Sequence, residues 1–194
     1  MYEKAFKLLI AGTIISTISY PVAKYVTKYD FKILCSFFFL GYILFFIAFA
    51  KLKKENLHFK KSMYFTLCII PIALFNFFHK SIVFHMGLDV PKVLTLTLDA
   101  VLAILDLMMI FDMFMGTVEI AETKGEFDIK DKSKKLWQMN ITLVVLLSLA
   151  GIFILLPPLS IILLLGLFIY TIYVQVKTIL LFNECAKRFK IENK

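Results

Sequence analysis

The stretch VLTLTLDAVLAILDLMMIFDMFMGTVE, residues 93–119, decides the fold class of this 194-residue chain. It is apolar over most of its length, and a helix of about 20 apolar residues is long enough to cross a bilayer. It also contains three aspartates, although a charge at the bilayer centre costs about 2.5–3.5 kcal/mol on insertion scales. The stretch therefore predicts a membrane-spanning helix with acids inside the membrane.

The same apolar character extends along the chain. Hydrophobic residues make up 60% of it, whereas soluble proteins contain about 45–50%. Apolar runs predict six spans, at residues 8–26, 31–50, 63–86, 93–118, 139–156 and 159–182. Pro157 and Pro158 separate the last two and favour a tight turn over a re-entrant pair, since proline does not continue a helix comfortably. We expect an all-α polytopic membrane protein, with residues 1–194 forming a single transmembrane domain, a compact bundle of six helices.

The distribution of Lys and Arg predicts the orientation of this bundle. Two lie near the N-terminus, five in residues 51–61, five in residues 124–135 and four at the C-terminus, against four on the opposite side of the predicted membrane. An excess of Lys and Arg marks the cytoplasmic side. We therefore expect both termini and the loop of about residues 119–137 in the cytoplasm, and a multi-pass protein of the cell membrane.

The composition argues against several classes of protein. The net charge is +8, but the lysines lie mostly in short segments between apolar runs, so no nucleic-acid partner is expected. The three cysteines, Cys35, Cys68 and Cys185, contain no CxxC pair, which argues against a disulfide framework or a zinc site. Without a glycine-rich phosphate loop or an HExxH motif, we expect neither a cofactor nor a metal ion.

The aspartates of the fourth span are the main candidates for a functional site. Asp99 and Asp106 are seven residues apart, so they differ by only about 20° around a helix and share one face. Asp112 points to another side of the same helix, with Glu119 seven residues beyond it. Acids inside a membrane mark ion or substrate pathways by default.

The third span carries polar groups that could meet these acids. Asn76, His79 and Lys80 lie within the run FNFFHKSIVFH, residues 75–85. Because a short loop makes the third and fourth spans antiparallel neighbours, Lys80 and Asp99 should lie at similar depth. We expect a Lys80–Asp99 pair, with Asn76 or His79 reaching Asp99 or Asp106.

Simpler interpretations stand beside this one. The long side chain of Lys80 could reach the lipid headgroups instead of an acid. Asn76 and His79 could serve as hydrogen-bonding contacts between helices. Asp112 could belong to the solvated end of a long helix. The charges could also form a static network that sets the register of the helices.

Three functions are therefore open at this stage. The first is a small transporter or ion-translocating protein whose pathway uses the acids of the fourth span and moves a small ion or small molecule. The second is a non-catalytic subunit for assembly, sensing or immunity, whose charges bind a membrane partner or a second copy of the chain. The third is an enzyme embedded in the lipid bilayer that acts on a lipid. His79 and His85 lie about 240° apart on a helix and so cannot share a metal ion, which argues against the enzyme hypothesis.

Overall fold

The computed structural model describes residues 2–18, 38–78, 91–152 and 157–189, and these residues are almost entirely helical. Six helices account for them: α1 (Tyr2–Ile18), α2 (Phe38–Leu52), α3 (Leu57–Phe78), α4 (Lys92–Thr123), α5 (Phe127–Ile152) and α6 (Pro157–Arg188). The all-helical class is thus confirmed. Lys80, His79 and His85 lie outside the described residues, so the expected Lys80–Asp99 pair stays a prediction.

Three of these helices are long and apolar enough to cross a membrane, which indicates a membrane protein. They are Leu57–Phe78, Val93–Thr123 and Leu163–Arg188, and the apolar helix Phe38–Leu52 is shorter. The sequence predicts a tight turn at Pro157 and Pro158. In the structure α6 begins at Pro157, so both prolines lie in the first turn of this helix. Proline is tolerated there because the first N–H groups of a helix have no partner within it.

The helices extend beyond the predicted spans at their polar ends. α3 begins at Leu57 rather than Met63, and α5 begins at Phe127 rather than Met139. The predicted loop of residues 119–137 is therefore mostly helix, with its turn at residues 124–126. Hydropathy locates only the apolar part of a helix, whereas the polar turns are supported by pairs such as Lys132–Asp128, spaced four residues apart.

Gly125 ends α4. It has a φ of +70°, a left-handed conformation that glycine adopts without steric cost. The N–H of Gly125 donates to the carbonyl of Glu122, and the N–H of Glu126 donates to that of Ala121. These two bonds form a Schellman motif. The chain is turned sharply here, so that α5 runs back beside α4.

The described helices pack in a ring. Each contacts the next helix in sequence, and α6 contacts α1. The core lies at the end formed by the N-terminal halves of α1, α3 and α5 and the C-terminal halves of α2, α4 and α6. Its largest fully buried side chains include six phenylalanines, namely Phe6, Phe49, Phe59, Phe114, Phe182 and Phe189. Towards the other end, α4 presents large apolar side chains such as Val93, which is 75% exposed.

Two glycines allow α1 and α2 to approach closely. A Cβ atom on Gly41 would lie 3.0 Å from the carbonyl oxygen of Gly12 and 3.2 Å from Ser16, and one on Gly12 would lie 2.8 Å from the ring of Phe45. The low glycine content predicts little packing of this kind, yet one glycine from each helix is enough to bring the two backbones together.

Candidate functional site

The three aspartates of α4 lie at three levels of the helix. Seven residues separate Asp99 from Asp106 and six separate Asp106 from Asp112, which correspond to rises of about 10 Å and about 9 Å. Asp99 is exposed, Asp106 is half-buried and Asp112 is buried. Each aspartate accepts a hydrogen bond from, or shares one with, a side chain of α2 or α3.

Asp99 lies nearest the start of α4 and contacts Asn76 of α3. The Asn76 amide Nδ2 donates to Asp99 Oδ1 at 2.9 Å, and Asn76 itself is buried, with 3% of its surface exposed. Asn76 lies near the end of α3 and Asp99 near the start of α4, so the bond joins antiparallel neighbours at a matching depth. The bond between Asn76 and Asp99 is thus one of the contacts expected from the sequence.

Asp106 lies in the middle of α4 and contacts α2. The hydroxyl of Tyr42 donates to Asp106 Oδ1 at 3.0 Å. The backbones of α2 and α4 are not neighbours in the ring, since α3 lies between them, so this bond joins the two helices that flank α3. Tyr42 also packs edge-on against Phe38 and Phe45 of its own helix, which holds the phenol ring in place. Asp106 therefore points towards the inside of the ring.

Asp112 pairs with His58, in the first turn of α3. The two atoms, His58 Nδ1 and Asp112 Oδ1, lie 2.6 Å apart, and the side chains are 33% and 6% exposed respectively. Asp112 is thus a buried acid and does not belong to a solvated helix end. The ring of His58 lies edge-on to Phe111, which in turn contacts Trp137 of α5. By contrast, Glu119 is exposed.

Two further bonds connect side chains of α3 to the backbone of α4. The Asn56 amide Nδ2 donates to the carbonyl of Gly116 at 2.9 Å, while its Oδ1 accepts the N–H of Phe59. Asn56 therefore caps α3 and connects it to α4 at the same time. The hydroxyl of Ser62 donates to the carbonyl of Met109 at 3.3 Å. These bonds define the register of α3 on α4.

Two members of this site, Tyr42 and His58, are absent from the sequence-based prediction. His58 belongs to the run KLKKENLHFKK, which reads as a connecting loop because of its charge. Tyr42 is the only side chain between Phe38 and Ala50 with a polar group. A single polar side chain in an apolar run is a feature by which the sequence could have indicated Tyr42. No pattern in the sequence shows that a side chain of α2 reaches α4 past α3.

A second cluster of polar side chains lies where the turn between α4 and α5 and the start of α5 meet the end of α6. Lys132 Nζ lies 2.9 Å from both Asp128 Oδ2 and Glu184 Oε2, and Arg188 contacts Glu126 and Glu184 at 3.1 Å and 2.7 Å. The bond from Lys132 lowers the pKa of Asp128. Hydrogen bonds to Glu184 and then Asp128 raise the pKa of Lys132. This charge cluster joins α5 to α6.

The α4 site contains groups able to exchange protons, but within the described residues no group of three His, Cys, Asp or Glu side chains is placed to hold a metal ion. In the same residues every buried side-chain nitrogen or oxygen has a hydrogen-bond partner. Comparisons with protein-family models, curated proteins and solved structures give no match for this chain.

Proposed function

We propose that this chain is a six-span membrane protein, with both termini in the cytoplasm, that moves protons or small cations past the acids of α4. The membrane-capable helices and the one-sided distribution of Lys and Arg support the arrangement. The antiparallel order of neighbouring helices supports it too, because an even number of spans places both termini on one side. The buried core lies at the end proposed to face the cytoplasm.

The observation that carries the proposal is the incomplete burial of two acids on one face of α4. Asp99 is exposed and Asp106 is half-buried, and they follow one another along the helix axis at a rise of about 10 Å. Acids that served only to fix the helices together would be expected to be buried on all sides. Acids within a membrane span are the usual elements of a proton or cation pathway.

The partners of the acids suit this function. The hydroxyl of Tyr42 donates to Asp106 and could stabilise its ionised form after a proton leaves. The His58–Asp112 pair lies at the proposed cytoplasmic end and joins an imidazole to a carboxyl group, the side chains from which proton relays of membrane proteins are built. We assign Asp99 and Asp106 to the pathway, Tyr42 and Asn76 to its support, and His58 with Asp112 to its inner end. If the predicted Lys80–Asp99 pair forms, Lys80 and His79 lie at the outer end.

Flux through purified protein tests this proposal. The protein is reconstituted into vesicles that contain a pH-sensitive dye, and a potassium gradient with valinomycin supplies the driving potential. We expect proton flux above that of protein-free vesicles, and at least a tenfold decrease in Asp106→Asn. The matched control is Glu119→Gln, which removes an exposed acid from the same helix and should leave the flux unchanged.

Wild-type fluxes no greater than those of empty vesicles, for protons in this assay and for sodium and potassium measured without valinomycin, would overturn the proposal. So would an Asp106→Asn variant with the flux of the wild type. The second candidate is the non-catalytic subunit, favoured by the fact that Asn76, Tyr42 and His58 already provide each acid with a partner inside the chain. In that case the acids have a structural role, so Asp106→Asn should destabilise the chain, and neither the wild type nor the variant should show flux above that of empty vesicles.

A further inference from the structure

A groove of about 370 Å³ opens between α5 and α6 at the proposed cytoplasmic boundary of the membrane. It lies on the side of α5 away from the acids of α4. The two helices meet beyond it, where Leu143 and Leu167 pack together with Tyr170, and before it, where Lys132 bonds to Glu184. The groove lies between these two contacts.

The lining of the groove has two chemical halves. One half is apolar and consists of Leu136, Met139, Leu180 and Leu181, while the other contains Lys132, Lys135, Lys177 and Glu184. Tyr173 completes it. A surface of this kind matches a molecule that has an anionic head and an apolar body.

The charges of the groove are not balanced within the described residues. Glu184 is neutralised by Lys132 and Arg188. Lys135 and Lys177 make no ion pair with any described residue, and the Lys177 ammonium instead lies 5.6 Å from the centre of the Tyr173 ring. Two cations at the rim of one groove are therefore available to an anion.

The position of these lysines fits the boundary between lipid and water. Lys135 precedes the predicted membrane part of α5, and Lys177 lies near the cytoplasmic end of the sixth predicted span. Tyr173 is 49% exposed, and tyrosine is enriched at the level of the headgroups. Farther into the membrane α6 offers an apolar surface, with Phe168 and Ile169 each at least 60% exposed.

We propose that the groove between α5 and α6 binds an anionic phospholipid of the cytoplasmic leaflet. Lys135 and Lys177 bind the headgroup phosphate. Leu136, Met139 and Leu180 contact the glycerol backbone and the first methylene groups of the acyl chains. Basic pockets between membrane helices on the cytoplasmic side have the chemistry for such headgroups. The site needs the bilayer arrangement proposed above, but it does not need the ion pathway.

Lipid binding to the purified full chain tests the site. Native mass spectrometry measures the apparent Kd for dioleoyl-phosphatidylglycerol and for dioleoyl-phosphatidylcholine, which share the same acyl chains. We expect the wild type to prefer the anionic lipid, and the double variant Lys135→Gln/Lys177→Gln to lose about 25-fold in affinity for it, about fivefold per lysine. Affinity for phosphatidylcholine should change little.

Three comparisons decide the outcome. The control variant Lys53→Gln/Lys54→Gln removes the same charge from exposed lysines of the turn after α2 and should bind like the wild type. The variant Lys135→Arg/Lys177→Arg keeps the charge and should retain the preference. Inorganic phosphate at millimolar concentration should not displace the lipid.

Equal loss in the two glutamine variants would overturn the site, because it would show attraction to surface charge in general. If the wild type showed no preference for phosphatidylglycerol over phosphatidylcholine, that result alone would overturn the site. Displacement by inorganic phosphate would overturn the assignment to a lipid. Since Lys135 and Lys177 are exposed, their truncation opens no cavity, and the elution volume in size-exclusion chromatography verifies that each variant is folded.

Discussion

His58 Nδ1 lies 2.6 Å from Asp112 Oδ1, which joins the first turn of α3 to the buried side of α4. The Asp112 side chain is 6% exposed, and a buried acid is costly unless a partner binds it. His58 is that partner, although the sequence around it is charged and is typical of a connecting loop. The pair thus extends the α3–α4 contact beyond the apolar part of both helices.

Removal of the imidazole should therefore destabilise the protein strongly. We expect His58→Phe to lower the free energy of unfolding by about 3 kcal/mol, because it leaves Asp112 buried without its partner. The measurement is reversible unfolding in mixed micelles. Glu119→Gln, an exposed acid on the same helix, should change stability by less than about 0.5 kcal/mol. Equal effects of the two substitutions would contradict the assigned role of the pair.

The hydroxyl of Tyr42 should matter for both stability and flux. Tyr42→Phe removes the 3.0 Å bond to Asp106 and keeps the ring, so we expect a loss of about 0.6 kcal/mol, the average for a hydrogen bond between membrane helices. Proton flux should fall as well. Tyr64→Phe is the matched control, since Tyr64 is 51% exposed. An unchanged flux in Tyr42→Phe would contradict the supporting role assigned to Tyr42.

The crossing of α1 and α2 should not tolerate a larger residue at Gly41. A Cβ atom there already approaches the backbone of Gly12 at 3.0 Å, so Gly41→Leu should cost about 1–3 kcal/mol through overpacking. The same change at Gly166, whose Cβ would meet nothing within 4 Å, should be neutral or stabilise by up to about 1 kcal/mol. Thermal unfolding of the two variants gives the comparison, and equal midpoints would show that the helices do not cross here.

Acid should loosen the charge cluster that joins α5 to α6. The pKa of Asp128 is lowered in the fold by its bond from Lys132, so its stabilising effect is complete above its ordinary pKa of about 3.9. That effect is lost as the pH falls through the lowered value. The protection factors of the amides near the start of α5, measured by hydrogen exchange, should therefore decrease below about pH 4. Asp128→Asn should abolish this part of the decrease, and an identical pH profile of protection in that variant would contradict it.

The predicted Lys80–Asp99 pair calls for a charge swap. Asp99 already accepts the amide of Asn76 and has further oxygen lone pairs for an ammonium group. If the pair forms, Lys80→Asp and Asp99→Lys should each destabilise the protein, and the double variant should recover part of that loss. Reversible unfolding gives the coupling energy, expected at about 0.5–3 kcal/mol. A double variant that does no better than either single one would contradict the pair.

Much of the fold follows from local patterns. The helical class follows from apolar runs, the end of α4 follows from Gly125, and the separation of the last two helices follows from Pro157. The polar extensions of α3 and α5 do not follow from such patterns. Hydropathy shows whether a segment suits an apolar or an aqueous environment, and it does not show whether the segment is helical. At the site, Asp99 and Asp106 stand out because acids are rare in an apolar run.

The sequence by itself determined which chemistry is present: acids seven residues apart on one helix, and Asn76 on the helix before it. That is possible because spacing along a helix fixes the face on which a side chain lies. Only the tertiary structure decided that Tyr42 reaches Asp106, that His58 reaches Asp112, and that Lys135 and Lys177 share a groove. These contacts depend on the angle and distance at which separate helices pack, and residues far apart in sequence determine both, as the close approach of Gly41 to Gly12 shows for α1 and α2.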